Sequence, residues 1–326
     1  EENMINRCKS CPNAAAFSSF HQSNSYTALM SNADPALRSL DIDEAMSTLV
    51  QLPMDDKVLT TFNDHALTSG RGLTLKWDRY DIDGHPGAQS MHLELARNDI
   101  GSVALLPAAQ EFRGLDVLLV FGLTGNLIHR VVFGASTALE LDYVKQVEPP
   151  TLKEPAPHSH QDKPIDLRAT RALIDGWDCH GARWHLEQIQ KDQGRARLRT
   201  LPLISSERAK RVCVDALYPW LCAAHREGLP YARILPQGKW LQCDSSEISK
   251  VTIEGGFIAI VSTLGATLFD VANIAQCWRT EFLDRGTPVS LLELYSQCGE
   301  CIAVLAPFRD YLLAPWLDQT ASLFQY

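Results

Sequence analysis

Two cysteine pairs at C-x-x-C spacing, a scatter of histidines and a run of arginines are the residues of this chain best suited to chemistry. Cys8 and Cys11 form one pair and Cys298 and Cys301 the other. Two such pairs brought together make a four-thiolate zinc site. Cys298-Gly299-Glu300-Cys301 falls in a Gly turn, which suits a zinc knuckle and equally suits a turn with two incidental thiols. His158 and His160 lie among prolines and read as solvated. His180 and His185 are five residues apart, about 140° around a helix, too far to chelate one ion together.

Leu173, Trp177, His180 and Trp184 recur at i, i+4, i+7 and i+11, the spacing of one helical stripe. A histidine between two tryptophans can offer its imidazole to a flat apolar cofactor, as a proximal histidine does to haem iron. It can equally be a packed histidine bonded to a backbone carbonyl. From Lys191 to Arg211 the chain carries Lys191, Arg195, Arg197, Arg199, Arg208, Lys210 and Arg211 against Asp192 and Glu207. This run suits a carboxylate or phosphate site, or the solvated outer side of a strand through the alternation of Arg195, Arg197 and Arg199. Walker A, G-x-G-x-x-G, G-x-S-x-G and H-E-x-x-H motifs do not occur.

The elements that must hold these residues follow from pattern. The chain has 326 residues, 45% of them hydrophobic and 21% charged, an ordinary globular composition long enough for two domains. A net charge of −9 argues against nucleic acid as partner. No apolar run spans a bilayer, and the polar first residues lack a signal-peptide core, so the expected location is cytoplasmic, not membrane-embedded, with the nine cysteines reduced.

Residues 1–40 read as a loosely ordered arm. Asp41 to Leu52 is spaced as a helix stopped by Pro53, and Val58 to Phe62 as a strand. A proline-rich linker at 148–164 separates two domains, 41–147 and 165–326. The halves repeat: Ile100, Phe121 and Ile128 correspond to Ile274, Tyr295 and Ile302, each pair 174 residues apart. The second half adds helices, expected over Asp166 to Gln190, with Gly176 and Gly181 interrupting, and over Ser206 to Glu227, kinked or split in two at Pro219. The expected fold is α+β, a tandem duplication of an antiparallel sheet unit with packed helices.

The order of these features resembles one family. The repeat, the Pro linker, "WDCH" at Trp177 to His180, "ARLRTLPL" at Ala196 to Leu203 and "SLLELYSQCGECIAVL" at Ser290 to Leu305 are similar to the haemin-transport and haemin-degrading proteins of the HemS/ChuS type. "DIDGHPG" at Asp81 to Gly87 and "NLIH" at Asn126 to His129 extend the match, which runs from about Asp41 to Leu317. The resemblance implies two similar sheet domains with haem in a cleft on the second. It implies His180 as iron ligand, Arg309 as a contact to the haem, and Phe62 and Trp184 as apolar wall. Phe62 stands where the family has its distal Arg, and Val304 and Ala306 where it has Gln and Tyr. Haem carriage in uptake and iron use, with at most weak ring cleavage, is therefore expected. The partners implied are haem and a membrane haem transporter or haem-accepting enzyme. The alternative is a divergent member that binds another planar ligand or a protein without catalysis.

Overall fold

In the first half the computed structural model describes residues 38–51, 57–62, 66–71, 73–77, 91–95 and most of 98–133. In the second half it describes nearly all of 166–307. The linker at 148–164, Arg309, Cys8, Cys11, His158, His160 and all of the expected arm except residues 38–40 lie outside these.

Seventeen strands among the described residues form two sheets. The first half carries β1 (Arg38–Leu40), β2 (Lys57–Phe62), β3 (Ala66–Arg71), β4 (Leu73–Trp77), β5 (Met91–Leu95), β6 (Ile100–Ala109), β7 (Leu115–Gly122) and β8 (Leu127–Phe133). The second half carries β9 (Ala209–Val212), β10 (Tyr231–Gln237), β11 (Trp240–Asp244), β12 (Ile248–Glu254), β13 (Phe257–Ser262), β14 (Gly265–Asp270), β15 (Ile274–Asp284), β16 (Thr287–Ser296) and β17 (Cys301–Pro307). One sheet runs β1-β6-β7-β8-β2-β3-β14-β13-β12 and the other β4-β5-β11-β10-β17-β16-β15-β9. Every ladder is antiparallel except β4 with β5. The α+β duplication expected from the sequence is the fold observed.

The duplication is visible in register as well as in order. Lys57 pairs with Phe133 in β2·β8, and Tyr231 with Pro307 in β10·β17, each residue 174 positions after its counterpart. The bulge after Ile100, which pairs with Gly122, recurs after Ile274, which pairs with Ser296. A one-residue slip would turn every side chain to the opposite face, so this agreement fixes matching inner faces.

The halves also exchange strands. β5 of the first half adds to β11 of the second, with Met91 opposite Asp244. β14 of the second adds to β3 of the first, with Gly265 opposite Gly70. These two ladders are the same contact seen from either half. Both sheets therefore cross the 148–164 boundary expected between domains.

Five α-helices are described: α1 (Ile42–Gln51), α2 (Leu167–Gly176), α3 (Ala182–Gln190), α4 (Arg195–Thr200) and α5 (Leu217–Arg226). Helices α1 and α5 are again repeat counterparts, packed in the separate cores of the two halves. Alternate residues of β16 divide two cores, as strand geometry requires. Leu292 and Leu294 join Leu217, Trp220 and Leu221 of α5. Leu291 and Tyr295 join Trp177, Leu186, Ile189 and Leu201 around α3.

Two expected helices are corrected. Asp166 to Gln190 is α2 and α3 joined by a turn at 177–181, with Gly176 ending α2 and Gly181 the extended residue that opens α3. Ser206 to Glu227 is the strand β9 followed by α5. Pro219 lies in the first turn of α5, where its missing N–H is not needed, so no kink in mid-helix arises.

Candidate functional site

His180 sits in the turn between α2 and α3. Asp166 caps α2, its Oδ1 accepting from Arg168 N at 2.9 Å and Ala169 N at 3.1 Å. The helix runs into Gly176, and a Cβ there would meet the Trp184 ring at 2.9 Å and His180 at 3.1 Å. Over this bare backbone the His180 imidazole stacks on the Trp184 indole, with centroids 4.8 Å and planes 25° apart. His180 is exposed. Among the described residues neither of its ring nitrogens takes a hydrogen bond, which leaves both free to ligate a metal or a planar group.

The turn is held from four sides. Trp177 is buried and donates from Nε1 to the Glu281 carbonyl at 2.8 Å. The Trp177 carbonyl accepts from His185 Nε2 at 3.0 Å. Asp284 Oδ1 accepts from Ala182 N at 3.3 Å, at the start of α3. A Cβ on Gly181 would meet that same oxygen at 2.0 Å, so a side chain here would displace the Asp284 carboxylate. Arg208 pairs with Asp178 at 3.2 Å and with Glu281 at 3.6 Å. Asp284 is presented by the β15–β16 hairpin, whose two turn residues, Arg285 (φ 51°) and Gly286 (φ 82°), are both left-handed. Positive φ at both central positions is the turn that matches strand twist.

Behind the turn lies a buried polar network. The His185 ring lies over Phe282 at 3.8 Å and edge-on to Trp177 at 4.9 Å. Its Nδ1 accepts from Arg197 Nη1 at 3.1 Å. Because Nε2–H serves the Trp177 carbonyl, both ring nitrogens are engaged and the tautomer is set. Burial holds His185 down at about 2, with the Arg197 guanidinium adding to the effect, so the ring stays neutral. Arg197 also donates from Nε and Nη2 to Glu293 at 2.8 and 2.6 Å and lies over the Trp177 ring at 4.5 Å. Glu293 further accepts from Thr280 at 2.5 Å and Tyr295 at 2.6 Å. Arg197 and Glu293 are both 0% exposed. Burial alone would neutralise the carboxylate, but the Arg197 charge and three hydrogen-bond donors hold Glu293 below its ordinary range.

Of the residues expected to form the site, the structure brings His180 and Trp184 together. Phe62 closes β2 opposite Leu67. Val304 and Ala306 are buried in the apolar cluster beneath α3. The basic run is corrected in part: residues 195–200 are helix α4 and not an outer strand, Arg197 is buried, Arg195, Arg199 and Arg208 are half-buried, and Lys191, Lys210 and Arg211 are exposed. Arg197 is buried on Glu293, Arg195 pairs with Glu300, and Arg208 with Asp178. The Cys298–Cys301 turn has Gly299 at φ 82°, and the buried Cys301 thiol is pushed well above its ordinary range by desolvation and Glu293. Among the described residues no group of three or more His, Cys, Asp or Glu is placed to hold a metal ion.

The reading from sequence includes Arg197 in its carboxylate-binding run but does not find Glu293, Thr280, Tyr295 or Asp284 as its partners and neighbours. Glu293 carried a signal, since it is a charge in a strand whose repeat counterpart, Leu119, is apolar.

No family model and no curated protein matches the chain. Solved structures do. The apo form of PhuS, a heme-binding protein from Pseudomonas aeruginosa, superposes with a TM-score of 0.74 at 20% identity, over 98% of this chain and 96% of that one. ChuS, described as a heme degrading enzyme of Escherichia coli O157:H7, superposes with a TM-score of 0.72 at 19% identity, over 90% and 88%. A second ChuS structure, described as an E. coli heme oxygenase, gives 0.73 at 18%, over 96% and 95%. The chain therefore has the full-length fold of PhuS and ChuS, the fold that the sequence resemblance implied.

Proposed function

We propose that this protein binds haem and carries it in the cytoplasm, with His180 as the iron ligand. The observation that carries this reading is the exposed imidazole of His180, stacked on Trp184 in a turn fixed on four sides. An imidazole nitrogen is a fitting donor for haem iron. The ligand is pre-aimed, so little conformational entropy is lost on binding. The fold shared with PhuS and ChuS supports the same reading.

Haem here is cargo. Trp184 is an apolar neighbour for the porphyrin, and Phe62 and Arg309 are further contacts. A membrane haem transporter would supply the cargo, and a haem-accepting enzyme would take it. Among the described residues no helix is long and apolar enough to cross a membrane.

Titration with haemin, followed by absorbance, tests the proposal. The expected result is a shifted Soret band that saturates at one haem per chain and is lost in His180→Ala. A wild-type spectrum equal to that of free haemin would overturn it and favour another planar ligand or a protein partner. A His180→Ala spectrum equal to wild type would move the ligand elsewhere.

A further inference from the structure

The second half buries a charge network at positions where the first half is apolar. Thr280, Glu293 and Tyr295 correspond by the 174-residue offset to Leu106, Leu119 and Phe121. The pairings correspond too, Glu293 opposite Val304 and Leu119 opposite Arg130. Leu119 and Phe121 are buried, as their counterparts are. The sheet thus closes equally well without these polar groups. Burying an arginine and a glutamate costs desolvation that an apolar pair does not, so the network answers a demand that the first half does not carry.

Its outer end identifies that demand. The network leads from Glu293 through Arg197 to His185 Nδ1, and from His185 Nε2 to the Trp177 carbonyl, three residues before His180. A buried carbonyl in a turn needs a donor, and no helical N–H is available there. A neutral histidine fixed in one tautomer supplies it, and Arg197 fixes the tautomer by donating to Nδ1.

We infer that His185 is a positioning residue for His180, held in register by the Arg197–Glu293 pair. The inference deepens the haem reading above. It parallels the way partners behind a metal ligand set its orientation, whose loss costs about 10- to 100-fold in affinity or activity.

His185→Phe tests it. The ring still fills the space over Phe282 but donates nothing to Trp177. His185→Gln restores an N–H donor, and thermal melting checks that both variants fold. Two readouts are taken. In the haem-free protein, the NMR signal of the His180 ring Cε1–H, assigned with His180→Ala, is expected to broaden or split in His185→Phe and to recover in His185→Gln. In the haemin complex, dissociation to an excess of apomyoglobin is expected to quicken about 10- to 100-fold in His185→Phe and to recover in His185→Gln.

A folded His185→Phe protein whose His180 signal and haemin release both match wild type overturns the inference. If the wild-type protein shows no Soret shift, the haem reading falls while the His180 signal still decides the positioning role. Should His185→Phe not fold, Arg197→Lys carries the same test, because it keeps the cation and loses the fork that reaches both Glu293 and His185.

Discussion

Glu293 and Leu119 occupy one place in two copies of the same three-stranded unit, Glu293 between Trp278 and Val304, Leu119 between Ala104 and Arg130. One copy carries a buried carboxylate under a guanidinium, and the other a plain apolar residue. The protein thus contains its own control for what the charge does.

The control predicts a mutant series. Glu293→Leu leaves Arg197 buried without its counter-ion, which costs about 3–5 kcal/mol. Adding Arg197→Met and Tyr295→Phe reproduces the apolar character of the first half. The triple variant is expected to regain most of that loss, because replacing a whole buried pair by packed apolar groups is often neutral or stabilising. Urea unfolding of the single and triple variants measures both. A triple variant as unstable as Glu293→Leu would show that the network holds the fold as well as the turn.

How much of this was legible in the sequence follows from the range of each signal. Helix α1 and strand β2 were readable because their apolar spacing is local. The repeat was read over some thirty residues and holds from β2 to β17, including the bulge after Ile100 and Ile274. The exchange of β5 and β14 was not readable, because which edge a strand joins depends on distant register and not on its own pattern. Strand β9 reads as helix from sequence, since Val212, Ala216 and Leu221 keep helical spacing across the boundary between two elements. Trp177, His180 and Trp184 were placed on one stripe. The turn instead sends Trp177 into the core and stacks His180 on Trp184. Spacing shows only that His185 and His180 cannot chelate one ion together, and the contacts of His185 appear only with Arg197 and the Trp177 carbonyl in view.

Gly181 and Asp284 are predicted to couple. Asp284→Ala removes the acceptor for Ala182 N, a helix-cap loss of about 1 kcal/mol. Gly181→Ala places a Cβ on Asp284 Oδ1, so the carboxylate must rotate away and the same bond is lost. The double variant is expected to be little worse than the worse single, a departure from additivity that a double-mutant cycle detects. Additive losses would show that Gly181 is required for its own backbone instead.

Acid should weaken the fold earlier than carboxylate titration alone. Burial holds His129 down at about 3 and His185, with Arg197, at about 2, against an ordinary value near 6.5. Between those limits the unfolded chain binds two protons that the folded chain does not. Stability therefore falls as pH drops below about 6.5 and continues to fall towards the folded values. At pH 5 the loss is about 2 kcal/mol per histidine. Glu293 adds a later loss, because its lowered value means stability present above the ordinary carboxylate range and lost as pH falls through the folded value. Urea midpoints at pH 7, 6 and 5 give the slope, and His185→Gln should reduce it by about one proton. A flat profile from pH 7 to 5 would mean that both rings admit protons in the folded state.

Catalysis of ring opening is the sharpest question the proposal raises, and the expected answer is that it is slow. Oxidative opening of haem needs a supply of electrons and polar groups on the open side of the ring. The chain carries no G-x-G-x-x-G loop of the kind that holds a flavin or nicotinamide, and the assay therefore supplies a reductant. By the family resemblance the open side falls to Phe62, whose side chain has no donor or acceptor. Val304 and Ala306, where the family has Gln and Tyr, are apolar and buried beneath α3. Arg197 and Tyr295, behind the His180 turn, are committed to Glu293 at 2.8 Å or less. Apolar walls still favour tight binding, since a porphyrin buries a large apolar area. The haemin complex given ascorbate in air is therefore expected to keep its Soret band, bleaching no faster than free haemin in the same buffer. Phe62→Arg restores the cation that the family carries and is expected to raise the bleaching rate. Rapid conversion of the wild-type complex to a biliverdin-like spectrum with release of iron would show that polar groups other than these serve the open side.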